Sequence, residues 1–267
     1  MGTRDPGGAV GDAVLYGRDG HVATITYNRP EVHNAVNGAL RRDLNAAWDR
    51  FLADDDAWVA IVTGAGGSFC AGADLHDGAG SVGTFPGSFW EMPTVNSFES
   101  GLEVWKPTIA AVDGYCLGYG FTLVTGCDFV LASDRAEFGF PEVRLGVPTI
   151  VGAIRLPGRI AMQHALELLL TGDRIGAARA KEIGLVLDVV APDDLLPAAR
   201  RLADRLVQAA PLAARATKEM AYRGRTLPWV DAVRMGETMR RVAGATEDAR
   251  EGMAAAREGR PPVWRAR

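Results

Sequence analysis

Residues 108–124 read TIAAVDGYCLGYGFTLV, and three kinds of backbone follow one another within them. Thr108 to Val112 is a short run of β-branched and small apolar residues, the signature of a buried strand. Asp113 to Gly120 carries Gly114, Gly118 and Gly120, more glycine than a turn requires. Phe121 to Val124 is apolar again. The same order occurs upstream, where Val59 to Thr63 leads into Gly64 to Asp74, GAGGSFCAGAD. Glycine admits unusual dihedrals and lets a ligand approach main-chain N–H groups. Each loop is therefore either an ordinary strand-to-helix turn or a backbone site for an anion or oxyanion.

Outward from these two segments, strand-like runs occupy His21 to Tyr27, Phe129 to Ala132 and Leu187 to Val190. Leu40, Leu44, Trp48 and Phe51 recur at helical spacing after Asn37, which predicts a helix over Gly38 to Ala53 with Asn37 as its N-cap. Strands alternating with helices over two thirds of the chain predict an α/β unit with largely parallel, buried strands. Beyond Pro192 the strand signals stop. Helices are expected at Asp193 to Gln208, Pro211 to Tyr222, Pro228 to Ala243 and Glu247 to Glu258, with Thr226 and Thr246 as start signals and Gly259 as a stop. The expected organisation is a disordered tail over 1–12, an α/β core over 13–191 and a helical C-terminal region over 192–267.

The 267 residues are 48% hydrophobic, enough for a substantial core. A net charge of −4 supplies no field for collecting phosphate backbones, so nucleic-acid binding is not expected. Cys70, Cys116 and Cys127 form no C-x-x-C pair and read as buried thiols of a reducing, cytoplasmic compartment. Met1 to Asp12 lacks the cationic start and apolar stretch of a secretory signal, and no apolar run approaches the roughly 20 residues that span a bilayer. No membrane association is expected. Neither glycine loop is followed by the Lys-Ser/Thr of a phosphate loop, and Ser68 lacks the closing glycine of a nucleophile elbow. His21, His33, His76 and His164 show no metal-ligand spacing, so no metal is expected.

Taken in order, several segments resemble the crotonase superfamily of enoyl-CoA hydratases and isomerases. They are Asn28-Arg29-Pro30 with Asn34-Ala35, Ser68 to Leu75, Lys106 to Tyr115, Phe138 to Glu142, and Leu170 to Asp173. The resemblance runs from about Val14 to Trp264. It implies a crotonase-like spiral of ββα units followed by a C-terminal helical trimerisation region, giving a homotrimer or a hexamer built as a dimer of trimers. It implies an acyl-CoA thioester as substrate and no separate cofactor, since coenzyme A arrives as part of that substrate. In such sites two backbone N–H groups, here matching Ala73 and Tyr119, face the thioester oxygen as it gains enolate charge. Losing one such preorganised donor costs roughly 3 kcal/mol elsewhere. Glu142 matches the main acid/base. Coenzyme A is expected along Glu31, Val32 and His33 and along Ala71, Asp74, Leu75 and His76, with Gly118 and Thr122 beside the acyl group.

Two departures from the family pattern matter. The second donor position, usually glycine, is Tyr119, whose ring is expected in the core. The second glutamate of the hydratases falls at Thr122, whose hydroxyl does not titrate near neutral pH and cannot replace a carboxylate base. His76, Asp77, Glu91, Glu99 and Glu103 are the replacement candidates. Glu142 alone suffices for moving a proton between C2 and C4, which shifts a double bond. Lysines that often meet the coenzyme A phosphates are absent at Glu31 and His76, with Lys218 and Arg225 as substitutes. Asp77 to Gly101 is expected to shape the acyl pocket with Phe85, Phe89, Trp90 and Met92. The competing readings are a non-catalytic acyl-CoA-binding protein, or another crotonase-type reaction on a CoA thioester; dehalogenation is disfavoured because Gly146 to Ile150 holds no carboxylate nucleophile.

Overall fold

The computed structural model describes residues 10–76, 98 and 101–267. The tail over 1–9 and the residues 77–97, with Phe85, Phe89, Trp90 and Met92, therefore lie outside the described residues. The first elements are an antiparallel pair, β1 (Val14–Asp19) and β2 (Val22–Tyr27), turned at Gly20 with φ +59°. Helix α1 (Gly38–Ala53) follows, and the Asn37 side chain accepts its capping bond from the Leu40 amide at 2.9 Å. Leu40, Leu44, Ala47, Trp48 and Phe51 form its buried face. Its far end is closed by Lys106, whose Nζ donates to the carbonyls of Phe51 at 2.6 Å and Asp54 at 2.7 Å. That satisfies carbonyls which a helix end leaves open.

Strands β3 (Val59–Gly64) and β4 (Thr108–Val112) come next, then β5 (Tyr115–Leu117), α2 (Tyr119–Gly126), β6 (Phe129–Ser133) and β7 (Glu137–Gly139). Helices α3 (Val151–Arg155) and α4 (Met162–Thr171), strand β8 (Arg174–Gly176), helix α5 (Ala177–Glu182) and strand β9 (Asp188–Val190) complete the α/β part. The main sheet runs β1-β2-β3-β4-β6-β9 and is parallel from β2 onward, while β5, β7 and β8 form a small second sheet.

The apolar runs of β3 and β4 are continuous because both faces of the sheet are covered. Ala60, Val62, Ala110 and Val112 point into one core with α1 and α2 residues. Val59, Ile61, Ile109 and Ala111 point into another, sealed by Leu195, Ala199 and Ala203 of helix α6 (Leu195–Val207). Helices α7 (Pro211–Arg223), α8 (Trp229–Gly244) and α9 (Glu247–Glu258) follow. The Lys218 ammonium pairs with Asp128 at 2.7 Å and donates to the Lys106 carbonyl at 2.9 Å, which docks α7 on the sheet.

The five strands legible from the sequence are present: β4 has its expected bounds, and β2, β3, β6 and β9 each differ from theirs by one residue at one end. Strands β1, β5, β7 and β8 were not expected: three have only three residues each, and β1 alternates with polar positions. Thr246 caps α9 through the Ala249 amide at 3.1 Å, and Gly259 ends it with φ +67°. Thr226 is no start signal for α8. Its hydroxyl donates back to the Arg223 carbonyl at 3.1 Å, and Pro228 occupies the cap position without a side-chain bond. Among the described residues no helix is long and apolar enough to cross a membrane.

Candidate active site

The two glycine loops that stood apart in the sequence run side by side. The Phe69 amide donates to the Asp113 carbonyl at 2.6 Å, the Cys70 amide to Tyr115 at 2.7 Å, and the Leu117 amide returns to Cys70 at 2.9 Å. Gly72 adopts φ +104°, and a Cβ there would lie 3.2 Å from the Leu117 carbonyl oxygen and 3.9 Å from the Gly118 Cα. At Gly120 a Cβ would come within 2.6 Å of the Cys70 Cβ. These glycines are what allow the start of α2 to rest on the first loop.

A third segment locks onto the same pair. Asn34 is fully buried: its Oδ1 accepts from the Arg29 amide at 2.8 Å, and its Nδ2 donates to the carbonyls of Ala65 at 2.9 Å and Ser68 at 2.7 Å. His33 and Asn34 both take left-handed backbone, φ +51° and +57°. The His33 carbonyl accepts from the Ala71 amide at 2.9 Å, and the Val36 amide donates to Gly72 at 2.8 Å. The Glu31-Val32-His33 turn and the Ala71 to His76 stretch are thus brought together, with Glu31, His33, Leu75 and His76 exposed. Burial would raise the Asp74 carboxyl, but the His76 amide and the Arg29 guanidinium at 3.1 Å outweigh it and hold it below the usual range.

The Val36–Ala73 bridge uses the Gly72 carbonyl and the Asp74 amide. In a parallel bridge that leaves the Ala73 N–H facing away from Val36. Gly118, the N-cap of α2, has φ +52° and ψ −116°, dihedrals that only glycine takes without strain. The Tyr119 amide follows it directly and opens the helix.

Glu142 sits in a 3-10 turn over Pro141–Leu145. A Cβ on Gly118 would be 3.1 Å from its Oε1, so the carboxyl lies over the backbone immediately before Tyr119. Its Oε2 is buried and has no hydrogen-bond partner. Burial pushes the Glu142 pKa up, its own amide pulling the other way, and the nearby Thr149 hydroxyl is likewise buried without a hydrogen-bond partner among the described residues. In the same turn Arg144 donates to the Thr171 carbonyl at 2.8 Å and pairs with Asp173. Arg144 was not singled out in the sequence, since its partners lie in another segment.

Thr122 is 8% exposed, one turn beyond Tyr119, and its amide donates to Gly118 at 2.9 Å. The Tyr119 ring packs half-buried against the main core, as expected, with the Arg41 guanidinium 5.3 Å above it. Glu103 is not a replacement base: its carboxylate pairs with Arg223 of α7 at 2.6 Å. Lys218 is not a solvated phosphate ligand either, being committed to Asp128 in a largely buried contact. His76 is exposed, while Asp77, Glu91 and Glu99 lie outside the described residues. A cavity of about 430 Å³ opens at the other end of α2, at Thr125 and Gly126. A second one of about 550 Å³ lies between α9 and the C-terminal residues and shares no lining residue with this site.

A family model described as enoyl-CoA hydratase/isomerase matches residues 17–267. The chain is 36% identical over 247 residues to (E)-benzylidenesuccinyl-CoA hydratase of Thauera aromatica, covering 92% of this chain and 96% of that protein. It is 38% identical over 257 residues to a probable enoyl-CoA hydratase of Mycobacterium bovis, covering 95% and 98%. The crystal structure of an enoyl-CoA hydratase from Mycobacterium tuberculosis superimposes with a TM-score of 0.87 at 37% identity, over 96% of this chain and 100% of that one.

Proposed function

Because the chain belongs to the enoyl-CoA hydratase/isomerase family and is an acyl-CoA enzyme of the crotonase type, we propose that it moves protons on an enoyl-CoA thioester with Glu142 as its acid/base, and that double-bond migration is the reaction its described residues serve best. The observation that carries this is the partly buried Glu142 carboxyl over Gly118, with Thr122 where a second carboxylate would have to stand. Ionised Glu142 takes a proton from C2 of a 3-enoyl thioester. The C–H electron pair passes into the thioester carbonyl, whose oxygen is met by the amides of Ala73 and Tyr119. Protonated Glu142 then returns the proton to C4, and the double bond ends at C2–C3 with atoms and charge balanced. The α2 N-terminus faces the developing negative charge.

Glu31, Val32 and His33 and the Ala71, Asp74, Leu75 and His76 stretch serve as the coenzyme A cradle, with Gly118 and Thr122 beside the acyl group. No cofactor besides the substrate's own coenzyme A enters this reading. Hydration is the second reading, favoured by the names of the relatives; Thr122 can hydrogen-bond the water, but the reaction needs a second acid/base, supplied by His76 or by a group outside the described residues. We also propose a homotrimer or a dimer of trimers working in the cytoplasm. Trp229 at 82% exposure supports the assembly, and three buried free thiols support a reducing compartment.

The test is incubation of purified protein with 2-enoyl-CoA and 3-enoyl-CoA thioesters of several chain lengths, resolving products by mass, with Glu142→Gln as control. Migration without a gain of water, lost in the control, is the expected result. Water addition lost in the control replaces migration by hydration, and turnover that survives Glu142→Gln overturns the role of this residue.

A further inference from the structure

The cavity at the end of α2 has an apolar and aromatic body, with Leu102, Trp105 and Ile154 in its wall. Its charged lining is unbalanced. Lys218 is neutralised by Asp128 at 2.7 Å, and Glu103 by Arg223 at 2.6 Å. Arg159 spends its donors on the carbonyls of Thr125 and Cys127, which carry no net charge. Among the described residues the Arg225 guanidinium has no hydrogen-bond or ion-pair partner, and it stands beside Gly158, where a Cβ would be 3.1 Å from its Nη2. Arg155 in the same lining donates to the Phe98 carbonyl at 2.8 Å, and Arg159 and Arg225 remain as guanidinium charges without a carboxylate among the described residues in one concave, partly apolar space. Such a space focuses field on an anion, and the guanidinium fork matches a carboxylate or phosphate.

Two elements join this cavity to the reaction site. Helix α2 carries Tyr119 and Thr122 in its first turn and Thr125 and Gly126 in its last, roughly 10 Å along at about 1.5 Å per residue. Thr149, near the Glu142 carboxyl, precedes α3, and Ile154 and Arg155 at the end of α3 line the cavity. None of the described lining residues comes from the 31–33 or 71–76 cradle. The cavity thus lies apart from that cradle, at the end of α2 opposite the one that carries Tyr119.

We propose that this cavity receives the distal end of the acyl group and that this end carries a carboxylate, held by Arg225 with Arg159 beside it. The assignment rests on the enoyl-CoA reading above and adds the substrate class: an apolar body of about 10 Å ending in an acid. The test compares matched enoyl-CoA thioesters whose far end is a free carboxylate or its methyl ester, in the unmodified protein and in Arg225→Gln and Arg225→Lys, with binding of the saturated thioesters and of free coenzyme A measured alongside. Charge-assisted bonds of this kind predict kcat/KM roughly tenfold higher for the acid than for the ester. Arg225→Gln should bring that ratio close to one, and Arg225→Lys should restore part of it. An acid-to-ester ratio near one in the unmodified protein, or one indifferent to Arg225→Gln, overturns the acyl-carboxylate site while leaving the reaction intact. Equal weakening of free coenzyme A by Arg225→Gln assigns the guanidinium to a phosphate instead and also overturns it. Absence of both turnover and binding for every thioester overturns the enoyl-CoA reading and this inference together.

Discussion

The Glu142 carboxyl is carried over Gly118 with its Oε2 buried, and desolvation raises its pKa. Between the ordinary glutamate value of about 4.3 and this raised value, the folded chain binds the proton more tightly than the unfolded one. The group's contribution to stability is therefore present below about 4.3 and lost as pH rises through the folded pKa. Replacing it by Gln removes the buried charge, so Glu142→Gln should melt above the unmodified protein near neutral pH, with the gap closing toward about pH 4; thermal unfolding at both pH values checks this. Activity should move the opposite way, rising with pH through the same raised pKa because the base must be ionised. In Glu142→Gln it should fall by roughly a hundredfold to ten-thousandfold while ligand binding is kept.

At the level of elements, the site depends on three loops held by buried polar bonds more than by any helix or strand alone. Asn34 is the joint, taking one bond from its own turn and giving two to the 64–72 loop. Removing its amide leaves buried partners unsatisfied, at about 1–3 kcal/mol in total if the loops relax and more if they do not. Asn34→Ala should lower the urea midpoint accordingly. It should raise KM for the thioester more than it lowers kcat, because the joint aligns the Glu31 to His33 turn with Ala71 to His76 and does not touch Glu142. Equal loss in kcat alone would argue that the joint positions the reacting groups instead.

Across the whole molecule, α6 seals one face of the sheet and α7 is clipped back by Lys218 and Tyr222 on Asp128. Helices α8 and α9 are left with Trp229, Val230, Val242 and Met253 in water, at 82%, 57%, 68% and 56% exposure. Large apolar side chains left exposed along these helices mark a surface for association. Light scattering should give three or six times the 28.4 kDa of one chain, and Trp229→Asp should shift the population toward lower mass. A monomer at micromolar concentration would overturn the trimer.

The strands with both faces buried, the capped helices α1 and α9 and the presence of two glycine-rich loops were determined by local sequence, because periodicity, caps and glycine content act within a few residues of chain. Glu142 and Thr122 were legible only through the order of matched motifs. What tertiary structure alone decided is where groups from distant segments meet: Glu142 over Gly118, Asn34 across two loops, Lys218 and Glu103 committed to partners in other elements, and Arg225 left without one. Such outcomes depend on through-space contacts between residues far apart in the chain, and burial, pairing and charge balance exist only after those residues are brought together.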